Sequence, residues 1–110
     1  MNWLGAFVLT QAVEIPIYAW RLRPVPWPRR LGMAFATSAA THPWVWFVLP
    51  PYLQPGLGFA GYVVVAELIA IAAEGALLVG FGVPSARAFG AALLANLTSV
   101  TIGLCVARIL

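Results

Sequence analysis

The chain has no lysine and no aspartate, one cysteine and one histidine, and only 8% of its 110 residues carry charge. Each shortage excludes something. A single cysteine, Cys105, permits neither an intrachain disulfide nor a thiolate metal site. The net charge of +3 rests wholly on arginine. No nucleic-acid motif accompanies those arginines, so nucleic acid is not an expected partner. Gly-rich phosphate loops and HExxH signatures are missing, as is the Glu-x-x-His pair of carboxylate-bridged helical bundles, which leaves metal binding undetermined. No catalytic residue is expected. Ser38 and His42 can share a helix face, but a nucleophile also needs an oriented base and an oxyanion hole. No cofactor is expected, and an enzyme is the lesser expectation.

What remains is apolar. Hydrophobic residues make up 63% of the chain and the mean hydropathy is +0.95, well above the roughly half-apolar usage of soluble domains. Four apolar segments, approximately Trp3 to Trp20, Leu31 to Leu49, Leu57 to Gly82 and Ala88 to Ala107, each approach the ~20 residues a helix needs to cross the hydrocarbon core. They predict an all-α, integral membrane four-transmembrane-helix bundle, one domain over residues 1–110. The first segment lacks the basic n-region and small-residue cleavage site of a signal peptide.

The connection from Arg21 to Arg30 has proline at Pro24, Pro26 and Pro28, which predicts an extended, stiff segment lying along the headgroups. Its Arg21, Arg23, Arg29 and Arg30 place it on the cytoplasmic side of a bacterial inner membrane, with the N-terminus outside, and predict contact with anionic lipid headgroups. The uncharged stretch Pro50 to Gly56 is expected as an outer loop. Trp3, Trp44, Trp46 and Tyr52 would then line the outer interface, and Trp20 and Trp27 the inner one.

All three acids, Glu14, Glu67 and Glu74, and the only histidine, His42, fall inside the apolar segments. An ionised side chain at mid-membrane costs on the order of 2.5 to 3.5 kcal/mol, so such residues are expected to face each other or a wet cavity. Helical spacing says which can. Thr10, Gln11, Glu14 and Tyr18 recur at three and four and form one stripe, with Gln11 and Tyr18 as supporting polar residues. Ser38 shares a face with His42, and Thr37 and Thr41 lie beside them. Glu67 and Glu74 stack on one face ~10 Å apart. In the last segment Asn96 and Ser99 adjoin a row of small residues, Ala91, Ala95, Ser99, Gly103 and Ala107, of the kind that lets helices approach closely within a bundle or against a second copy. Pro16 and Pro43 each free a carbonyl one turn upstream, of Ala12 and Ala39, beside an ionisable group.

Simpler roles exist for these residues: a neutral His42 bonded to Ser38, protonated acids joining helices, an Asn96 used only in packing. A helix-joining bond in a membrane is worth only ~0.6 to 2 kcal/mol, below the cost of inserting a charged acid, which favours a titrating role for Glu14, Glu67 and Glu74. The expected function is a proton- or cation-coupled transporter or channel subunit acting as a homo-oligomer. Glu14 would be the principal site, Glu67 with His42 an outer station and Glu74 an inner one. The alternatives are a non-catalytic subunit that docks its acids onto a membrane-protein partner and, behind it, an intramembrane enzyme using His42 and a glutamate. In size, helix number and the position of Glu14 in its first segment, the chain resembles the small multidrug resistance transporters. That resemblance implies a four-helix transport fold with Glu14 as the working acid. The tryptophan and glycines of that family's third helix have no counterpart in the Glu67 to Glu74 segment, and His42, Glu67 and Glu74 lie outside its pattern.

Overall fold

A computed structural model describes residues 2–109, which are almost entirely helical. Helix α1 spans Trp3–Arg21, α2 spans Trp27–Pro43 and runs on into a π-helical segment Trp44–Val48, α3 spans Pro50–Gly80, and α4 spans Ser85–Ile109. Asn2 starts α1 by accepting a hydrogen bond from the Gly5 N–H at 2.8 Å, which satisfies one of the four donors that a helix start leaves open.

Proline sets most of the other boundaries, in a way that corrects two expectations. The stiff connection expected from Arg21 to Arg30 is only Leu22 to Pro26, because Pro28 sits in the first turn of α2, where its missing N–H has no partner to lose. Arg29 and Arg30 are therefore helical. Likewise Pro50 and Pro51 open α3 instead of lying in a loop. Having no N–H groups, they cannot bond the carbonyls of Trp46 and Phe47. The preceding turn widens, and the Leu49 N–H reaches back five residues to the Trp44 carbonyl at 2.9 Å. The reversal comes instead at Gly58, whose φ of 70° and ψ of 179° suit essentially only glycine. A short helical piece up to Leu57 thus joins α2 to the long limb of α3.

At the other end, α3 closes with Gly82 at φ 100°, the Gly82 N–H bonded to the Val79 carbonyl and the Val83 N–H to that of Leu78. This glycine cap is completed by burial of Leu78 and Val83.

The four helices form a closed square in chain order. The α3–α4 and α1–α4 sides are close and the α2–α3 side is loosest. The core lies toward the end that carries Arg21 to Arg30. There Tyr18, Leu22, Ala34, Leu78, Ala88 and Ala91 are fully buried. Gly75 allows the Phe89 ring to lie directly on the α3 backbone, since a Cβ there would stand 2.2 Å from the ring. The arginines brace this end. Arg30 donates to the Ala19 carbonyl, Arg29 to Phe81 at 3.1 Å and Arg87 to Arg23 at 2.9 Å. The first two place cations on the C-terminal carbonyls of α1 and α3, where the helix dipole favours them.

Two of the helices, α3 and α4, are long and apolar enough to cross a membrane. Helices α1 and α2 fall short of the same measure, α1 through Thr10, Gln11 and Glu14, and α2 because it is only 17 residues long before the π segment and carries Arg29, Arg30 and His42. Large apolar side chains nevertheless face outward on all four, including Val8, Phe35, Leu68 and Leu97.

Candidate functional site

Two carboxyl groups sit where the helices converge. Glu14 on α1 is buried and accepts one hydrogen bond from Ser38 on α2 at 2.8 Å and another from Ser99 on α4 at 2.6 Å. Glu74 on α3 is equally buried and accepts from Tyr18 on α1 at 2.6 Å and from Thr41 on α2 at 2.8 Å. Each acid therefore ties together three helices, and the two between them tie all four. Spacing explains the arrangement: Glu14 and Tyr18 are one turn apart on α1, and Ser38 and Thr41 nearly so on α2, so both helices serve both acids.

The donors at 2.6 to 2.8 Å are all hydroxyls. A hydroxyl has one proton to give and lone pairs with which to accept. Thr41 Oγ1 lies 2.8 Å from Glu74 and 3.3 Å from each of the Thr37 and Ser38 carbonyls. Ser99 Oγ lies 2.6 Å from Glu14 and 3.3 Å from the Asn96 carbonyl. When the acid is ionised, the hydroxyl points at it. When the acid is protonated, the carboxyl can donate to the hydroxyl oxygen while the hydroxyl proton turns to its own backbone. Both protonation states of Glu14 and of Glu74 thus find partners without movement of a helix, in contrast to a carboxylate held by arginine or backbone N–H groups.

No family model, curated protein or solved structure matches this chain. The likeness to the small multidrug resistance transporters therefore rests on size, helix number and Glu14 alone.

The two acids form the floor of a cavity of about 520 Å³ that extends away from the arginine end. Glu67 and His42 line it higher up, and Asn96 and Ser99 border it from α4. Glu67 is half-buried, with Oε2 lacking a partner among the described residues. It does not bond His42. That ring is instead held by Trp3, whose indole N–H donates to Nδ1 at 3.0 Å, with Thr10 Oγ1 3.3 Å from Nε2. Because an indole can only donate, Nδ1 carries a lone pair and the ring proton sits on Nε2, facing Thr10. Trp46 stacks on the same ring and Phe7 meets it edge-on.

Of the supporting residues, Ser38 and Ser99 bond Glu14, whereas Tyr18 bonds Glu74 on another helix. The Asn96 amide donates to the Ala92 carbonyl of its own helix at 2.8 Å. Gln11 is buried with neither amide atom partnered among the described residues. The small-residue row of α4 turns inward: Ala91 and Ala95 are fully buried, while Gly103 and Ala107 line the cavity. Among the described residues no three His, Cys, Asp or Glu side chains come together as metal ligands. Three partners lay outside the expected set, Thr10, Thr41 and Trp3. Thr41 is three residues from Ser38 on the same face, a spacing that marks it, while nothing in the local sequence ties Trp3 to His42.

Proposed function

We propose that the chain is a four-span membrane bundle, N-terminus outside and arginine end cytoplasmic, that exchanges protons at Glu14 and Glu74 through the outward cavity and couples them to transport. The observation that carries this is the hydroxyl shell of the two acids. Each acid is buried, bonded from two other helices, and provided with at least one donor that can reverse, an arrangement suited to gaining and losing a proton in place. Beneath them the packed layer of Tyr18, Leu22, Leu78 and Ala91 closes the way to the arginine end. A cavity open on one side with titrating groups at its floor is what an outward-facing transporter presents.

The bilayer placement of α1 and α2 is supported by their surfaces, which turn Leu4, Val8 and Phe35 outward and Glu14, Thr37 and Ser38 inward. In lipid that inversion is favourable, since polar groups find partners only inside. Docking of Glu14 and Glu74 onto a partner's basic residues is disfavoured, because both acids are already bonded within the chain.

Reconstitution into proteoliposomes with a trapped pH dye tests the proposal. Wild type is expected to move protons, alone or coupled to a cation gradient, and Glu14→Gln and Glu74→Gln to stop that flux, since glutamine keeps the volume and much of the hydrogen bonding but exchanges no proton. Equal flux from wild type and both variants would overturn it.

A further inference from the structure

On the outside of the loose α2–α3 seam runs an apolar groove of about 710 Å³. Ala73, Ala76 and Gly80 recess its α3 wall, and Ala40 and Trp44 form the wall on α2. Along α3 it extends from Ile69 to Phe81, about 18 Å at 1.5 Å per residue. One leaflet of a bilayer is about 15 Å of hydrocarbon. The groove therefore has the length of a single acyl chain lying along the helix.

Its arginine end is charged. Phe81 closes the groove there, and the Phe81 carbonyl accepts from Arg29 Nη2 at 3.1 Å. That bond uses one of the five guanidinium donors. The three acids of the chain all line the interior cavity, so among the described residues the Arg29 charge is met only by the α3 C-terminus and no side-chain carboxylate answers it. Trp27, two residues earlier and 65% exposed, is the side chain type that sits at headgroup level.

The groove also touches the site. Thr41, Val45 and Ala70 belong to both the groove and the cavity, so the residue that bonds Glu74 has its other side against the groove.

We propose that the α2–α3 groove binds an anionic phospholipid, with one acyl chain along Ala73, Ala76 and Gly80 and the phosphate on Arg29, and that this chain sets the α2–α3 spacing behind the Thr41–Glu74 hydrogen bond. The proposal rests on the bilayer placement above and is independent of proton exchange. It differs from general attraction of lipids to arginines in naming one seat, one chain and one guanidinium.

Native mass spectrometry of the full chain tests it, after extraction in uncharged detergent from vesicles of equal phosphatidylglycerol and phosphatidylcholine. One phosphatidylglycerol per chain is expected to survive extraction. Ala76→Phe and Gly80→Leu, at exposed positions where the added side chain fills the groove, are expected to lower its retention about tenfold. Arg29→Gln is expected to lower the preference for phosphatidylglycerol about fivefold while leaving some lipid bound. Unchanged retention in both groove variants, equal retention of the two lipids by wild type, or a second copy of the chain in place of the lipid would each overturn the proposal. Flux and retention separate the two ideas. Lipid retained without proton flux sinks the transport function alone, and flux with no retained lipid sinks the groove alone. A chain that stays soluble without detergent sinks both.

Discussion

At the arginine end Leu22, Ala34, Leu78, Ala88 and Ala91 have no exposed surface, whereas at the far end Trp44, Phe47 and Phe59 are 58 to 61% exposed and a cavity separates the helices. The same small-residue row of α4 passes through both halves. It is packed to contact at Ala91 and Ala95 and left facing open space at Gly103 and Ala107. Small residues thus permit close approach without imposing it. What decides is the facing chain. Near the arginines α3 ends in a glycine cap and α1 in a carbonyl braced by Arg30, while at the far end the π segment and the Gly58 break divert α2 and α3.

That contrast can be broken most forcefully from the packed side. Leu78→Ala removes a fully buried side chain and is expected to lower stability by about 2 to 5 kcal/mol, read as a shift in the denaturant midpoint of detergent-solubilised protein. Phe59→Ala, 61% exposed at the far end, is expected to leave that midpoint nearly unchanged, and comparable losses from the two would erase the distinction between the halves. Next in size, Gly58→Ala forces a Cβ into the φ 70°, ψ 179° conformation at a cost of about 1 to 3 kcal/mol. Its damage should appear as faster hydrogen exchange in residues 50–62, with α4 near Ala91 still protected. The smallest effect belongs to the cavity mouth. Trp3→Phe keeps the stacking on Phe7 but deletes the donor to His42, a loss of about 0.6 kcal/mol in a membrane. The imidazole nitrogen resonances of His42 should shift as Nδ1 is freed, and an unchanged spectrum would mean that the indole does not hold the ring.

How much of this was legible in the sequence follows from what periodicity can encode. Spacing along one helix shows which side chains share a face, and so Glu67 and Glu74 do line one cavity, with Glu14, Ser38 and His42 facing it from other helices. It carries no information on the register between helices. Tyr18, one turn from Glu14, accordingly reads as a supporting partner of that acid or as an interface residue, yet its hydroxyl lies 2.6 Å from Glu74 across the bundle. The prolines misled for a related reason. Pro28 read as part of an extended connection and Pro50 to Gly56 as a loop, but Pro28 sits in a first turn where its N–H would go unused, and the loss of the Pro50 and Pro51 N–H groups is absorbed by the widened π turn before them. The arginine loop read as a lipid anchor, and nothing in its local pattern said that Arg29 and Arg30 would reach the carbonyls of Phe81 and Ala19.

Ser38 and Thr41 stand on one stiff stretch of α2, about 4.5 Å apart along its axis, and hold Glu14 and Glu74 by bonds of 2.8 Å each. Neither can be withdrawn alone. For bonds lying across the helix axis, an axial slip of α2 by about 2 Å would stretch both toward the ~3.5 Å limit of a hydrogen bond, like a bar with two teeth. Whatever shifts α2 along its axis is then felt at both acids together, while Ser99 on α4 and Tyr18 on α1 keep their own bonds to Glu14 and Glu74.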